Sequence, residues 1–587
     1  MPEKLQYDVV VAGGGMSGIC AAMAAARGGA RTALVQDRPM LGGNASSEIR
    51  MHICGADRHG SVDDARESGI LEELLLENRY NNPQHSFCVQ DAFFWAAVKK
   101  QSNLDLYLNT RILGAETSGG RISALSAVQM TSEKQFRFEA AFFVDATGDG
   151  FVGSCAGAGY MYGREDSRAF GEPHAAAKAD RHVMGSSILF TAKDMGHPVP
   201  FIKPEWAYTF TEEQLKHRAH TEITSGYWWI ELSGLLDPVS DAETIRDELL
   251  KVLYGVWDHI KNQPGHHAEN YALDWVGFLP GKRESRRLTG DYVLTENDVA
   301  ASRIFPDTVA YGGWNMDVHV PGGILSEESA PTTYYKFDDV YAIPYRCLYS
   351  ENIENLFLAG RAISVSHIAF GSTRVMGTCA VVGQAVGTAA ALALRRGVRD
   401  ARGVAPYMTE LQQRLLRDGC FLPGIANEDK NDLARSASVT ASSFRPGAEP
   451  GNVINGIGRN RRGKCNAYIS EGIRPEGEIF SLRWREPVAA NCVCLRFDTN
   501  FGKELTITLS DAIRRRQRPF PPELVRDFGV MLCLGNKTVY ACEVQGNIQR
   551  CRDIRFPRQT FDRLEIRLRA THGAPDASVF EVRVYED

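Results

Sequence analysis

No CxxC pair occurs in the sequence, and its thirteen cysteines are scattered, the closest two being Cys492 and Cys494. Iron–sulfur clusters and structural zinc fingers need clustered thiolates, so neither is expected. Residues 1–7 carry charges and run straight into a strand pattern, leaving no apolar secretory region. An odd cysteine count without a leader predicts free thiols in a reducing, cytoplasmic compartment. Basic charge is not in excess either. The net charge is −6 and the pI about 6.2, which argues against a nucleic-acid partner. The strongest basic run, Arg514-Arg515-Arg516 with Arg518, reads as decoration of a solvated loop. Internal repeats and low-complexity tracts are absent. One long uncharged run exists, Val375–Leu394, but it holds Gly377, Gly383, Gln384 and Gly387 among many alanines. Such a run is expected to be a buried core helix, with no membrane involved.

What is present is ordinary for a large globular protein: 587 residues, 44% hydrophobic and 24% charged. Tyr7–Ala12 reads as a buried parallel strand, followed by Gly13-Gly14-Gly15, a helix over Ser17–Arg27 and a strand over Arg31–Gln36. Leu104–Leu108, Arg121–Gln129 and Arg137–Val144 read as further strands, and Asn355–Ala359 returns to the buried-strand pattern. Residues 154–342 differ in periodicity and are rich in Trp, Tyr, His and Pro. Leu411–Arg417 reads as a peripheral helix. Beyond about residue 435 alternating strands dominate, Leu564–Arg569 and Val579–Tyr585 each predicting one wet face.

Gly13-Gly14-Gly15-Met16-Ser17-Gly18 is GxGxxG inside a short strand–turn–helix–strand unit, the context that makes this string a dinucleotide-binding signature. Gly13 permits the tight turn, Gly15 lets the backbone approach a pyrophosphate, and Gly18 lets helix and strand pack closely. The helix N-terminus, Met16 and Ser17 included, offers N–H groups to phosphate. The acid expected at the end of the second strand is replaced by Gln36, with Asp37 beside it, and either can meet ribose hydroxyls.

Three further stretches, Pro39–Asn44 (PMLGGN), Val144–Gly150 (VDATGDG) and Asn355–Arg361 (NLFLAGR), occur in that order. Together they resemble the FAD-dependent oxidoreductases of the glutathione-reductase-2 structural class. GGNASSEIR, Gly281–Glu296 and Ala342–Arg346 narrow the likeness to the bacterial FAD-dependent oxidoreductase family, over roughly residues 5–430. The resemblance implies FAD, held by Gly13, Gly15, Met16, Ser17, Gly18, Gln36, Asp37, Gly42, Gly43, Asn44, Ser47, Arg50, Ile112, Ala146, Thr147, Gly148, Asp149, Gly360, Arg361, Met376, Gly377 and Thr378. The helix start at Met376–Thr378 would stabilise negative charge on the flavin. Some relatives carry iron–sulfur subunits, which the dispersed cysteines do not support here.

The expected fold is α/β: a Rossmann-like FAD-binding domain (1–153 and 343–430) interrupted by an α+β substrate or cap domain (154–342). A C-terminal β-sandwich follows (435–587). That last region resembles galactose-binding-like, discoidin-type jelly rolls through Ala437–Ser443 and Asn452–Gly456. Such modules bind glycans or dock against their own enzyme domain, and docking is favoured here.

Flavin chemistry needs a placed substrate and a proton carrier. Candidates near the ring are His52, Asp317, His319, Arg346, His367 and Arg374. Asp317 and His319 share a strand face and form a plausible acid/base pair. His52 is a second proton carrier, and a covalent flavin link through His52 or Cys54 stays open. Arg374 matches an arginine that faces substrate in related fumarate-reductase-like flavoproteins. Each also reads as a satisfied structural polar group. Tyr227-Trp228-Trp229 reads as core or as a sugar-stacking surface. The resulting expectation is hydride transfer between flavin N5 and a small organic substrate, leaning carbohydrate-derived, with an unknown electron acceptor. The rivals are a fumarate-reductase- or steroid-dehydrogenase-like enzyme acting on C=C bonds and a flavin-containing glycan-binding protein. A homo-oligomer is left open.

Overall fold

The computed structural model describes residues 2–587 except 57–61, 63, 233, 516, 518 and 519. The chain forms two compact units: Met1–Arg58, Gln84–Met408 and Thr506–Gln517 make the first, and His59–Pro83, Thr409–Leu505 and Arg518–Asp587 the second.

The first unit is built on a mixed seven-stranded sheet. Its strands are β1 (Glu3–Ala12), β2 (Thr32–Val35), β3 (Leu104–Tyr107), β4 (Thr110–Ser118), β5 (Arg121–Gln129) and β6 (Gln135–Asp145), in the order β3-β2-β1-β6-β5-β4. β1, β2, β3 and β6 run parallel, and β4 and β5 are antiparallel. One edge of β6 is divided: residues 135–139 pair with β5, and residues 143–145 pair in parallel with Leu356–Leu358. Val9, Val10 and Val11 are fully buried, as the unbroken apolar run required.

Helix α1 (Met16–Arg27) is buried along its whole length save Arg27. It packs on the helix Met376–Arg395 through small residues. A Cβ on Gly383 would stand 2.0 Å from the Ser17 carbonyl oxygen, and one on Gly387 2.1 Å from that of Ala21. The glycines and alanines are therefore what lets two backbones touch. This helix is long and apolar enough to cross a membrane, yet 94% of its apolar window is buried inside the protein.

Within the first unit, residues 154–342 form short antiparallel pairings around the amphipathic helix Ala242–Asn262. Tyr227 and Trp229 stack at 4.9 Å in that core with Phe190 and Trp257. They are therefore unavailable for the sugar stacking considered for them. Arg514 pairs with Asp511; Arg516 and Arg518 lie outside the described residues.

The second unit is an antiparallel seven-stranded sheet. Its strand Glu478–Phe497 has irregularities near residues 483–488 and 490–492. Leu564–Arg569 alternates as expected. Ser578–Tyr585 does not: all eight residues are buried. Val582 and Val584 join the main core, Phe580 packs with Phe501, and Tyr585 with Cys492 and Cys494. The polar pair Glu581 and Arg583 is buried because the two side chains bond each other at 2.8 Å.

Candidate functional site

The β1–α1 turn shows why its glycines differ. Gly13 has φ +102°, and a Cβ there would meet the Ala146 carbonyl oxygen at 2.3 Å; a Cβ on Gly18 would meet that of Gly13 at 1.8 Å. Both are excluded by the protein's own backbone. Gly15 is different, because its Cβ would find no protein atom within 4 Å. Helix α1 begins there without a side-chain cap or an acid in its first turn, so its positive end is uncompensated. The Gly42–Gly43 loop docks alongside, Gly42 N–H donating to the Gly14 carbonyl at 2.8 Å.

The other glycine-rich turns converge on Asp149. Its carboxylate accepts from Lys282 Nζ (2.7 Å), Ser285 Oγ (2.8 Å) and Arg361 Nη2 (2.9 Å). Burial pushes this carboxyl up, but Arg361 and Lys282 outweigh it and bring it down to about 2. Asp145 locks the same turn by accepting from Thr147 N–H and hydroxyl and from Gly153 N–H. Asn44 Nδ2 and Arg361 Nη1 both donate to the Lys282 carbonyl, each at 3.1 Å. Segments separated by more than two hundred residues thus share one polar knot.

A second cluster is built on the hairpin of Met316–His319 with Thr332–Tyr335. His319 Nε2 donates to Asp317 Oδ2 at 3.3 Å, and its Nδ1 donates to Glu231 Oε2 at 2.6 Å. Asp317 also accepts from Arg374 Nη2 at 3.0 Å and from the Thr332 hydroxyl. Arg283 Nη1 lies 3.4 Å from Glu231. Arg374, Asp317, His319, Glu231 and Arg283 therefore alternate in sign. Burial raises both carboxyls, but Arg283 and His319 hold Glu231 below its ordinary value, and His319 and Arg374 hold Asp317 well below its own.

Beside it, on the helix His367–Thr373, His367 Nδ1 donates to Glu284 at 3.0 Å. Glu284 is fixed by Met184 N–H at 2.9 Å and by Arg287. His367 Nε2 has no hydrogen-bond partner among the described residues. Four buried polar atoms nearby also lack partners: Trp314 Nε1, Asn315 Oδ1, Thr373 Oγ1 and Arg374 Nε. They lie on two segments tied by Ser372 Oγ donating to the Trp314 carbonyl and Arg374 to that of Asp317. Unpaired buried polar atoms are costly, so their grouping suits a polar ligand.

Residues 8–415 match the model of the family described as "FAD dependent oxidoreductase". The chain belongs to this family. Its cofactor is FAD, and it is an FAD-dependent oxidoreductase. Among solved structures, the chain is similar to a Streptococcus pneumoniae fucose binding module, with 14% identity over 27% of this chain and 99% of that one at a TM-score of 0.20. It is likewise similar to the lectin domain of lectinolysin complexed with Lewis B antigen (12% identity, 27% and 99% covered, TM-score 0.21). A third is the family 32 CBM from C. perfringens NanJ in complex with galactose (12% identity, 26% and 96% covered, TM-score 0.20).

The residues present fit FAD. The open side of Gly15 and the uncapped start of α1 suit a pyrophosphate, and Ser17 Oγ is buried without a hydrogen-bond partner among the described residues. Met16 and Gly18 open helix α1, Gly42, Gly43, Ala146, Thr147 and Gly360 approach residues 13–17, and Gly148 lies against the Arg361 guanidinium. Other expected contacts are already engaged. Gln36 Oε1 accepts Gly14 N–H at 2.7 Å and its amide donates to the Met40 carbonyl, so Gln36 braces the loop and leaves exposed Asp37 as the polar group at that position. Ser47 N–H donates to Asp91 and its hydroxyl to Met40 Sδ. Arg50, at φ +63°, lays its guanidinium 4.0 Å over Trp275. Ile112 is buried in β4 opposite Ala127. Gly377 N–H donates to the Cys54 carbonyl at 2.8 Å, which leaves the Met376–Thr378 helix start with one donor already committed.

Among the catalytic candidates, Asp317, His319 and Arg374 are in one cluster and His367 in the adjoining network. Arg346 stands apart: it pairs with Asp307 at 3.0 Å and stacks on Tyr292, while Tyr345 donates to the Ala401 carbonyl. His52 Nε2 lies 3.1 Å from Cys54 Sγ; residues 57 and 58 of that segment are outside the described residues. Sequence reasoning missed Glu231, Arg283, Glu284 and Arg287. The last three sit in a charged run that pattern alone assigns to solvent, yet all three are buried.

Proposed function

We propose that the chain transfers a hydride between a small polar organic substrate and FAD, with His367 as the proton carrier. Bound FAD supplies the hydride chemistry at N5. The observation that carries the assignment is the Glu284–His367 pair. Glu284 fixes the tautomer with hydrogen on Nδ1, which leaves the Nε2 lone pair basic and unpartnered. His319 is less suited, since both its nitrogens already donate to carboxylates. Its role, through Asp317, is to hold Arg374 in place. Arg374 keeps a buried, unpartnered Nε for an oxyanion or carboxylate of the substrate.

The reading includes a Rossmann-like FAD part (1–153, 343–430), a substrate segment (154–342) and a C-terminal jelly roll (435–587). A carbohydrate-derived substrate is favoured on the resemblance of Ala437–Ser443 and Asn452–Gly456 to galactose-binding-like modules. The reading places the chain in a reducing, cytoplasmic compartment, on its odd count of scattered cysteines.

The test is anaerobic bleaching of the flavin band by sugars, sugar acids and unsaturated acids. One sugar-derived class should bleach wild type, and His367→Asn should slow it about 10²–10⁴-fold with FAD still bound. Bleaching by unsaturated acids alone would support C=C redox chemistry. An undiminished rate in His367→Asn would remove the proposed proton carrier.

A further inference from the structure

Within residues 154–342, and apart from both clusters above, Glu212, His220, His259 and His266 bring four ligand atoms within 4.8 Å of one another. His259 is in the last turn of the helix Ala242–Asn262, His266 follows the turn at Gly265, Glu212 opens the turns of residues 212–218 and His220 follows them. Glu212 Oε2 is 3.0 Å from His259 Nε2, 3.4 Å from His220 Nε2 and 4.0 Å from His266 Nε2. His220 and His259 are buried, His266 is partly buried and Glu212 is exposed.

The outer ring nitrogens decide how this can work. His259 Nδ1 is 3.0 Å from the Phe210 carbonyl oxygen, and His220 Nδ1 is 2.6 Å from that of Arg218. A carbonyl oxygen only accepts, so both Nδ1 atoms carry the hydrogen. In a neutral ring Nε2 then presents a lone pair, here aimed at a carboxylate that also only accepts. Either a proton on each Nε2, as at His319, or one metal ion shared by all the rings resolves this meeting of acceptors, and the convergence of three rings on one carboxylate favours the ion. Donation of the far N–H to a backbone carbonyl is also how metal-bound histidines are oriented.

We propose that these four residues bind a zinc-class divalent cation, a borderline ion suited to three imidazoles and one carboxylate. Zinc bonds of about 2.0 Å in a tetrahedron put ligand atoms roughly 3.3 Å apart; the carboxylate-to-nitrogen spacings of 3.0, 3.4 and 4.0 Å bracket that value. The backbone around the site is pinned. Trp229 Nε1 donates to the Ala219 carbonyl, Arg218 to those of Gly323 and Ser326, and Lys261 to those of Ala268, Glu269 and Tyr271. The ion would therefore clip the helix end to the two loops beside it.

The experiment uses the full FAD-loaded chain, stripped with a chelator and titrated with zinc and, separately, cobalt(II). One zinc per chain and the intense visible bands of tetrahedral cobalt are expected. His266→Ala and Glu212→Gln, both on the more accessible side of the cluster, should bind zinc more than about tenfold weaker, the size that even an outer-shell partner carries. Their FAD content should be unchanged, which keeps metal loss distinct from misfolding. Wild type that takes up no zinc, or variants that bind it as tightly as wild type, would overturn the proposal.

Discussion

His319 Nδ1 lies 2.6 Å from Glu231 Oε2, and the two residues are 88 positions apart in the chain. Both are buried, and Arg283, 3.4 Å from the same carboxylate oxygen, completes the neutralisation. Removing one member of a buried ion cluster leaves an uncompensated charge, which costs about 3–5 kcal/mol. Glu231→Gln should lower unfolding stability by that amount in urea titration. A loss below about 1 kcal/mol would mean that solvent reaches the cluster.

The same cluster sets an acid limit. Asp317 is held well below the ordinary carboxylate range: burial opposes this, and His319 and Arg374 outweigh burial. A carboxyl depressed in the folded state contributes stability that is present above its unfolded value, about 3.9. That stability is lost as pH falls from there toward the folded value, because the unfolded chain binds the proton first. Asp317→Asn should be less stable than wild type at pH 7 and should lose less on going to pH 3. Parallel melting curves across that range would contradict the assignment.

Asp91 carries the opposite sign. Burial raises it to about 6, against the lowering effect of Ser47, whose N–H it accepts. Its contribution to stability is complete below the unfolded carboxylate value and is lost as pH rises through about 6. Asn retains the acceptor for Ser47 but does not ionise. Asp91→Asn should therefore gain relative to wild type between pH 5 and pH 8, read from melting temperatures at both. An unchanged difference would show that Asp91 is already solvated.

Gly15 and Gly18 separate cofactor binding from folding. Gly15→Ala adds a methyl that meets no protein atom, so the apo protein should unfold within about 0.5 kcal/mol of wild type. Its FAD content should fall sharply. Gly18→Ala forces a Cβ to 1.8 Å from the Gly13 carbonyl oxygen and should destabilise the apo protein itself. If Gly15→Ala retained full FAD, the open side of that glycine would not face the cofactor.

The parallel strand, glycine turn and helix of residues 3–27 were legible because each feature depends on neighbours a few residues away. Apolar continuity gives a buried strand, a missing Cβ allows close approach, and a 3.6-residue period gives the helix. Thr110–Ser118 was not read as a strand. It lies on a half-exposed antiparallel edge, where no unbroken apolar run marks it. Arg283, Glu284 and Arg287 were quoted as a family motif, and nothing in a charged run announces burial. Their burial depends on partners such as Glu231, 52 positions from Arg283, and His367, 83 positions from Glu284.

The sequence by itself determined the family, the cofactor and the backbone of the dinucleotide turn, since all three rest on local strings whose steric demands are met within a few residues. Tertiary structure decided which histidine keeps a free nitrogen and which acids are held ionised. Those outcomes are set by charges and backbones that meet only after folding. Burial magnifies every such encounter, because water is no longer there to screen a charge or satisfy a lone pair.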